Sequence, residues 1–374
     1  MVQLLNKKNQ LVQMLGFEHY AAYSLATKML NTPNQVIDFL EDLLHKARPK
    51  AEQEYQDLLD FSRIHLHLET LHPWDIAYVS QLKKEHDHTI NDEALRAYFP
   101  LPHVMQGLFK IIHTLFGIQL REITTSELDT WHSDVRCFAL FDSNKNTRGY
   151  LYMDLFARPN KRSGAWMDSL QTRYKKAEDS LQLPIATLTC NFANTTGQKP
   201  ATLSHDEVIT LFHEMGHCLH HLLTQVNYLS ASGIHGVEWD AVELPSQWFE
   251  NWCWTAEGMA ILSAHIDTGE TLPTALLTKL IASQQFQAAL GLLRQIELAL
   301  FDFKLHLHCP QNPENGLEIA ATIPAILSEI QQSTRLTPAP DFLRTAHSFS
   351  HIFAGGYAAG YYSYLWAEIL SADA

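Results

Sequence analysis

Five residues, His213-Glu214-Met215-Gly216-His217, carry the clearest chemistry in this 374-residue chain. In a helix, the H-E-x-x-H spacing sets two imidazoles one turn apart on one face, where both can reach a single zinc ion. The intervening Glu214 projects close enough to take a proton from a zinc-bound water. Such a pattern is the working core of a zinc peptidase. The surrounding residues supply the helix it needs. Ser204 and Glu207 form an S-x-x-E capping box, and Val208, Leu211, Phe212, Met215, Leu219 and Leu222 recur at helical spacing as a buried face.

A tetrahedral catalytic zinc takes a third protein ligand and keeps its fourth position for water. Downstream, Val237–Trp252 offers four carboxylates, Glu238, Asp240, Glu243 and Glu250. All four are open to the role, with Glu243 favoured because an early helical turn is rigid and can aim inward. Asp240 and Glu243 also read as a second capping box, starting a helix able to pack beside the first.

The run His213–His220, followed by Ser232-Gly233, Glu243-Leu-Pro-Ser-Gln247 and Glu250-Asn-Trp252, resembles the thimet oligopeptidase family of zinc peptidases (M3). Within it, Trp239–Gln247 most resembles the bacterial oligopeptidase A branch. Leu15–Tyr20, Asp154–Arg158, Lys161–Trp166 and Cys190–Phe192 extend the likeness over almost the whole chain. The resemblance implies one Zn2+ per chain held by His213, His217 and Glu243, with Glu214 as general base. Zinc lowers the pKa of its water toward ~7, and no covalent acyl-enzyme is needed. No G-x-S-x-G elbow or Cys–His signature offers a rival nucleophile.

A second constellation lies near the C-terminal end, in His351–Tyr364. Tyr357, Tyr361 and Tyr364 fall at i, i+4 and i+7, so a helix would align three phenols on one face. Gly355 and Gly356 just before them permit backbone conformations closed to other residues. A phenol donates a hydrogen bond without carrying charge at neutral pH, which suits a developing oxyanion. The resemblance implies that Tyr357 and Tyr364 stabilise the tetrahedral intermediate and that His351 assists there. It also implies that Tyr361 and the glycine pair meet the substrate.

Val135–Phe141 and Tyr150–Phe156 read as strands joined by a polar turn, and Ala186–Phe192 as a third strand. A sheet edge can bind an extended peptide through its main chain, and Thr187–Phe192 is the expected edge. Helical patterns dominate the rest, including a long helix over Gln285–His308. The expected fold class is mostly α with a small embedded β-sheet, a zincin-like catalytic region of the thimet oligopeptidase/neurolysin type. One catalytic region is expected over 1–374, with a helical part (1–118), a sheet part (119–193) and a helical zinc-site part (204–374). Both ends read as cuts, so the N-terminal helical domain and the C-terminal end of the family are expected to be missing.

The net charge of -14 argues against nucleic acid and anionic membranes as partners. Short peptides are the expected substrates, and a monomer the expected state. No apolar run approaches the ~20 residues of a membrane span, Met1–Lys8 lacks the apolar stretch of a signal peptide, and the five cysteines form no C-x-x-C pair. A cytoplasmic zinc metalloendopeptidase of the oligopeptidase A type (EC 3.4.24) is the expectation. Its alternatives are an inactive or partner-dependent truncated fragment, and a dipeptidyl carboxypeptidase.

Overall fold

The computed structural model describes residues 1–88, 91–124, 129–195, 199–310 and 316–374. Two compact units emerge. The first comprises Met1–Thr89, Glu238–Ala241 and Ala282–Ile369; the second comprises Ile90–Val237, Val242–Ile281 and Leu370–Ala374.

The first unit is helical. Its longest helix, Pro33–Leu66, begins at a Thr32/Gln35 capping box with Pro at the first turn, where a missing N–H costs nothing. It ends at His67 in the left-handed conformation. Val36 and Leu40 join a core with Ile296, Leu300 and Phe303 from helix Ala288–His308 and Ile319, Ile323, Ile326 and Ile330 from helix Gly316–Thr334. The expected helix over Gln285–His308 therefore starts three residues later, because Gln287 takes a left-handed φ of 53°.

The second unit carries the sheet. Its strands are β1 (Gln119–Glu122), β2 (Arg136–Phe141), β3 (Thr147–Phe156), β4 (Trp166–Gln171), β5 (Tyr174–Lys175), β6 (Leu181–Gln182) and β7 (Ile185–Phe192). The main sheet runs β1-β2-β3-β7-β4, antiparallel except for the parallel β3–β7 pair; β5 and β6 form a separate ribbon. The β2–β3 hairpin turns as expected, with the Asp142 carboxylate accepting from the amides of Asn144 and Asn146. One face is covered by helix Leu101–Phe116, whose Leu101, Val104, Met105, Leu108, Ile111 and Ile112 recur at helical spacing and are buried.

The edge assignment for Thr187–Phe192 is corrected. β7 lies between β3 and β4, with Thr187 opposite Tyr152 on one side and Asp168 on the other. Ala186–Cys190 are all buried, as befits an interior strand covered on both faces. The strand that follows β3 in sequence, β4, pairs on the far side of β7 and forms one edge, with β1 at the other.

Candidate active site

The capping box at Ser204 forms as its sequence requires. Ser204 Oγ accepts from the Glu207 amide at 3.1 Å, and Glu207 Oε2 accepts from the Ser204 amide at 2.7 Å. Glu207 also takes a 2.8 Å hydrogen bond from Arg96. Helix His205–Leu222 then runs through the H-E-x-x-H motif and puts the His213 and His217 rings 4.9 Å apart.

Beside it lies helix Leu244–Glu250. Gly216 explains how close the two helices come: a Cβ there would sit 2.5 Å from Ser246 Cα and 2.7 Å from the Pro245 carbonyl. That approach delivers Glu243, whose side chain is 1% exposed, to the two imidazoles. Glu243 Oε2 lies 3.2 Å from His213 Nε2 and 3.1 Å from His217 Nε2. Ser246 Oγ donates to the Glu243 carbonyl at 2.8 Å, which fixes the residue from behind.

Among the described residues, His213, His217 and Glu243 form the one cluster of ligand atoms, all within 4.8 Å of one another. Zinc held tetrahedrally by nitrogen and oxygen at about 2.0–2.1 Å needs ligand atoms roughly 3.3 Å apart. The carboxylate–imidazole separations match that spacing, and two imidazoles with one carboxylate is a donor set used by catalytic zinc. Burial opposes the charged form of His213, but the hydrogen bonds with Glu243 and Glu250 outweigh it and raise its pKa to about 10. Burial likewise works against the Glu243 carboxylate, yet the two histidines hold it below the usual carboxylate range.

Glu214 is also buried, and its Oε2 has no hydrogen-bond partner among the described residues. Burial pushes its pKa up, against the pull of His213 and His217. Cys218 is directed away, its thiol toward the Thr187 carbonyl at 3.8 Å.

The other three carboxylates diverge. Glu250 Oε1 meets His213 on its opposite nitrogen, Nδ1, at 2.6 Å. Asp240 and Glu238 belong to the other unit. The Asp240 capping role is corrected: Asp240 lies in a 3-10 turn, Trp239–Ala241, and its carboxylate accepts from the Met29 and Leu30 amides and the Tyr362 hydroxyl. Helix Leu244–Glu250 has Glu243 at its N-cap without a side-chain capping bond.

The tyrosine constellation belongs to the first unit, and its geometry differs from a continuous helix. Helix Ser350–Ala354 ends at Gly355; residues 358–362 turn, and the next helix begins at Ser363. Gly356 adopts a φ of 86°, reserved for glycine. The rings still gather. Tyr357 and Tyr364 stack at 5.1 Å, Tyr361 lies 5.1 Å from Tyr364, and the exposed His351 is 6.2, 5.5 and 6.4 Å from Tyr357, Tyr361 and Tyr364. Tyr361 is buried, its hydroxyl 3.1 Å from Gln295 Oε1. What gathers the rings is a turn held by buried carboxylates, Asp302 and Asp240, neither of which the spacing of tyrosines reveals.

The model of peptidase family M3 matches residues 1–374. This chain belongs to peptidase family M3. Its mostly helical architecture with a small mixed sheet agrees with the thimet oligopeptidase-type fold. Over its whole length it is 51% identical to oligopeptidase A of Escherichia coli and 48% identical to oligopeptidase A of Haemophilus influenzae, covering 54% of each. It is 32% identical to saccharolysin of Saccharomyces cerevisiae, covering 53% of that protein. The chain thus spans about half the length of the curated relatives it matches. Among its described residues no helix is long and apolar enough to cross a membrane.

Proposed function

We propose that this chain is the catalytic region of a cytoplasmic zinc oligopeptidase that hydrolyses internal bonds of short peptides. The observation that carries the reading is the convergence of His213, His217 and Glu243 beside the buried, unbonded Oε2 of Glu214. Family membership, and the oligopeptidases among the relatives, support it.

His213, His217 and Glu243 would hold the zinc, which supplies Lewis-acid polarisation of the scissile carbonyl and an acidified water. Glu250 accepts the Nδ1 proton of His213, fixing the tautomer that leaves Nε2 free to ligate. Glu214 takes the proton of the attacking water and returns it to the departing amine. The hydroxyls of Tyr357 and Tyr364 donate to the oxyanion, with His351 beside them. Gly355 and Gly356 lend backbone freedom where the substrate is received. Tyr361, whose hydroxyl donates to Gln295, meets the peptide. β4, the sheet edge packed against helix His205–Leu222, offers main-chain hydrogen bonds to an extended substrate. The whole chain acts as one catalytic region, and as a monomer.

Because the chain spans only about half of its relatives, a second reading is a fragment that binds zinc but needs a partner to turn over. The test is mass spectrometry of a short-peptide mixture incubated with the purified, zinc-loaded chain and with its Glu214→Gln variant. Internal cleavage by the wild type alone supports the endopeptidase. Strictly C-terminal removal of dipeptides would instead make it a dipeptidyl carboxypeptidase. No cleavage by folded, zinc-containing protein would leave the partner-dependent fragment standing.

A further inference from the structure

We propose that Asp302 is the positioning residue for the Tyr357–Tyr364 pair. The inference rests on the reading that these two phenols serve the oxyanion, and adds what holds them in place. Asp302 lies on helix Ala288–His308, and its side chain is 0% exposed. Its carboxylate faces the turn between the two tyrosines. Oδ1 accepts from the Ala359 amide at 2.9 Å; Oδ2 accepts from those of Gly360 at 2.8 Å and Tyr361 at 2.9 Å. Three consecutive N–H groups converging on one anion make a strong, directional clamp. The clamp is needed, because Ala359 has a φ of 49°, a left-handed conformation that a residue with a Cβ avoids.

The other polar groups of the turn are held too. Ser24 Oγ contacts the Ala358 and Ala359 carbonyls at 3.1 and 2.9 Å, and Ser363 Oγ donates to the Gly360 carbonyl. Behind Asp302 stands His306. Its Nδ1 lies 2.8 Å from the Asp302 carbonyl and 3.0 Å from Oδ1, so it carries the proton. Its Nε2 then accepts from Lys8 Nζ at 3.2 Å, and Lys8 also donates to the Ile352 carbonyl at 3.1 Å. Ile352 follows His351 directly. One chain of hydrogen bonds, Ile352–Lys8–His306–Asp302, half-buried at Lys8 and buried at Asp302, therefore joins the His351 helix to the turn that sets the distance between the two phenols.

An acceptor-only group is essential at this point. The amide of an Asn would aim its own N–H groups at one or more of the three turn amides. The test compares the zinc-loaded full chain with Asp302→Asn, Tyr364→Phe and the double variant, using a short internally quenched peptide. Asp302→Asn is expected to lower kcat about 10- to 100-fold, as displacement of an aligned donor does, with KM within about threefold and zinc content unchanged. The double variant should be no slower than the slower single, because both changes remove one effect. Unchanged kcat in Asp302→Asn beside a slow Tyr364→Phe, or multiplied losses in the double variant, overturns the positioning role. If Tyr364→Phe itself leaves kcat unchanged, the reading of the phenols fails, and this inference with it.

Amide hydrogen exchange of wild-type residues 359–361 decides the clamp without any variant or turnover. Protection close to that of the Ala288–His308 helix is expected, and exchange at the rate of a solvated loop overturns it.

Discussion

Glu250 Oε1 lies 2.6 Å from Nδ1 of His213 while Glu243 Oε2 lies 3.2 Å from Nε2 of the same ring. The imidazole is therefore gripped on one nitrogen and presented on the other. The two carboxylates are seven residues apart, two turns along one helical face, so a single short helix supplies both.

Loss of the outer grip should weaken zinc binding without removing a ligand. Glu250→Gln keeps the size but not the charge, and Glu250→Ala removes both. Zinc affinity, read by competition with a chromophoric chelator, is expected to fall about 10- to 100-fold in the Ala variant and less in the Gln variant. An affinity unchanged in both would show that the hydrogen bond does not tune the site.

Gly216→Ala sets two effects against each other. Replacing Gly in a helix interior with Ala normally stabilises by about 0.5–1 kcal/mol. Here the new Cβ meets the backbone of Ser246 and Pro245, and overpacking of this kind costs about 1–3 kcal/mol. Net destabilisation in urea unfolding, with weakened zinc affinity as the two helices part, is the expected result. A more stable variant with full affinity would mean that the helix contact gives way easily.

Asp154, with its side chain 3% exposed, binds Arg158 in two bonds, Lys161 and Trp131. Burial opposes its charge, but those donors outweigh burial and hold its pKa below the ordinary carboxylate value of 3.8. The depressed pKa means that the folded state binds this proton more weakly than the unfolded chain. Asp154 therefore contributes stability that is fully present above about pH 3.8 and lost as pH falls toward its folded pKa. Asp154→Asn leaves the Lys161 ammonium, 5% exposed, without its counter-charge and is expected to cost about 3–5 kcal/mol at pH 7. In urea titrations, the gap between wild type and variant should hold from pH 7 to 5 and narrow below pH 4. A gap that widens on acidification would contradict the assignment.

Zinc itself should stabilise the chain. At free zinc about 1,000 times its dissociation constant, linkage gives roughly 4 kcal/mol. The melting temperature should rise on adding zinc, fall on chelation, and become insensitive to both in His217→Ala. A zinc-dependent rise that survives in His217→Ala would place the ion elsewhere.

What the amino-acid order determined by itself was local. The H-E-x-x-H pair, the Ser204–Glu207 box and the β2–β3 hairpin each depend on residues within about 20 positions, where helical or pleated periodicity already sets which side chains meet. The wider match to M3 motifs identified the family over the whole chain. Which carboxylate faces the two histidines was beyond spacing, since Glu238, Asp240, Glu243 and Glu250 are chemically equivalent within 13 residues. Only the packing of Gly216 on Ser246 and the long-range bonds of Asp240 to Met29, Leu30 and Tyr362 separate them. The sheet edge was hidden for a like reason, because β4 pairs beyond β7 rather than beside the preceding strand, β3. The tyrosines kept their neighbourhood but not their helix, for the turn at 358–362 is bent around Asp302, more than 50 residues earlier in the chain. Contacts over such separations are chosen by the fit of whole elements in three dimensions, and no short window of sequence contains that information.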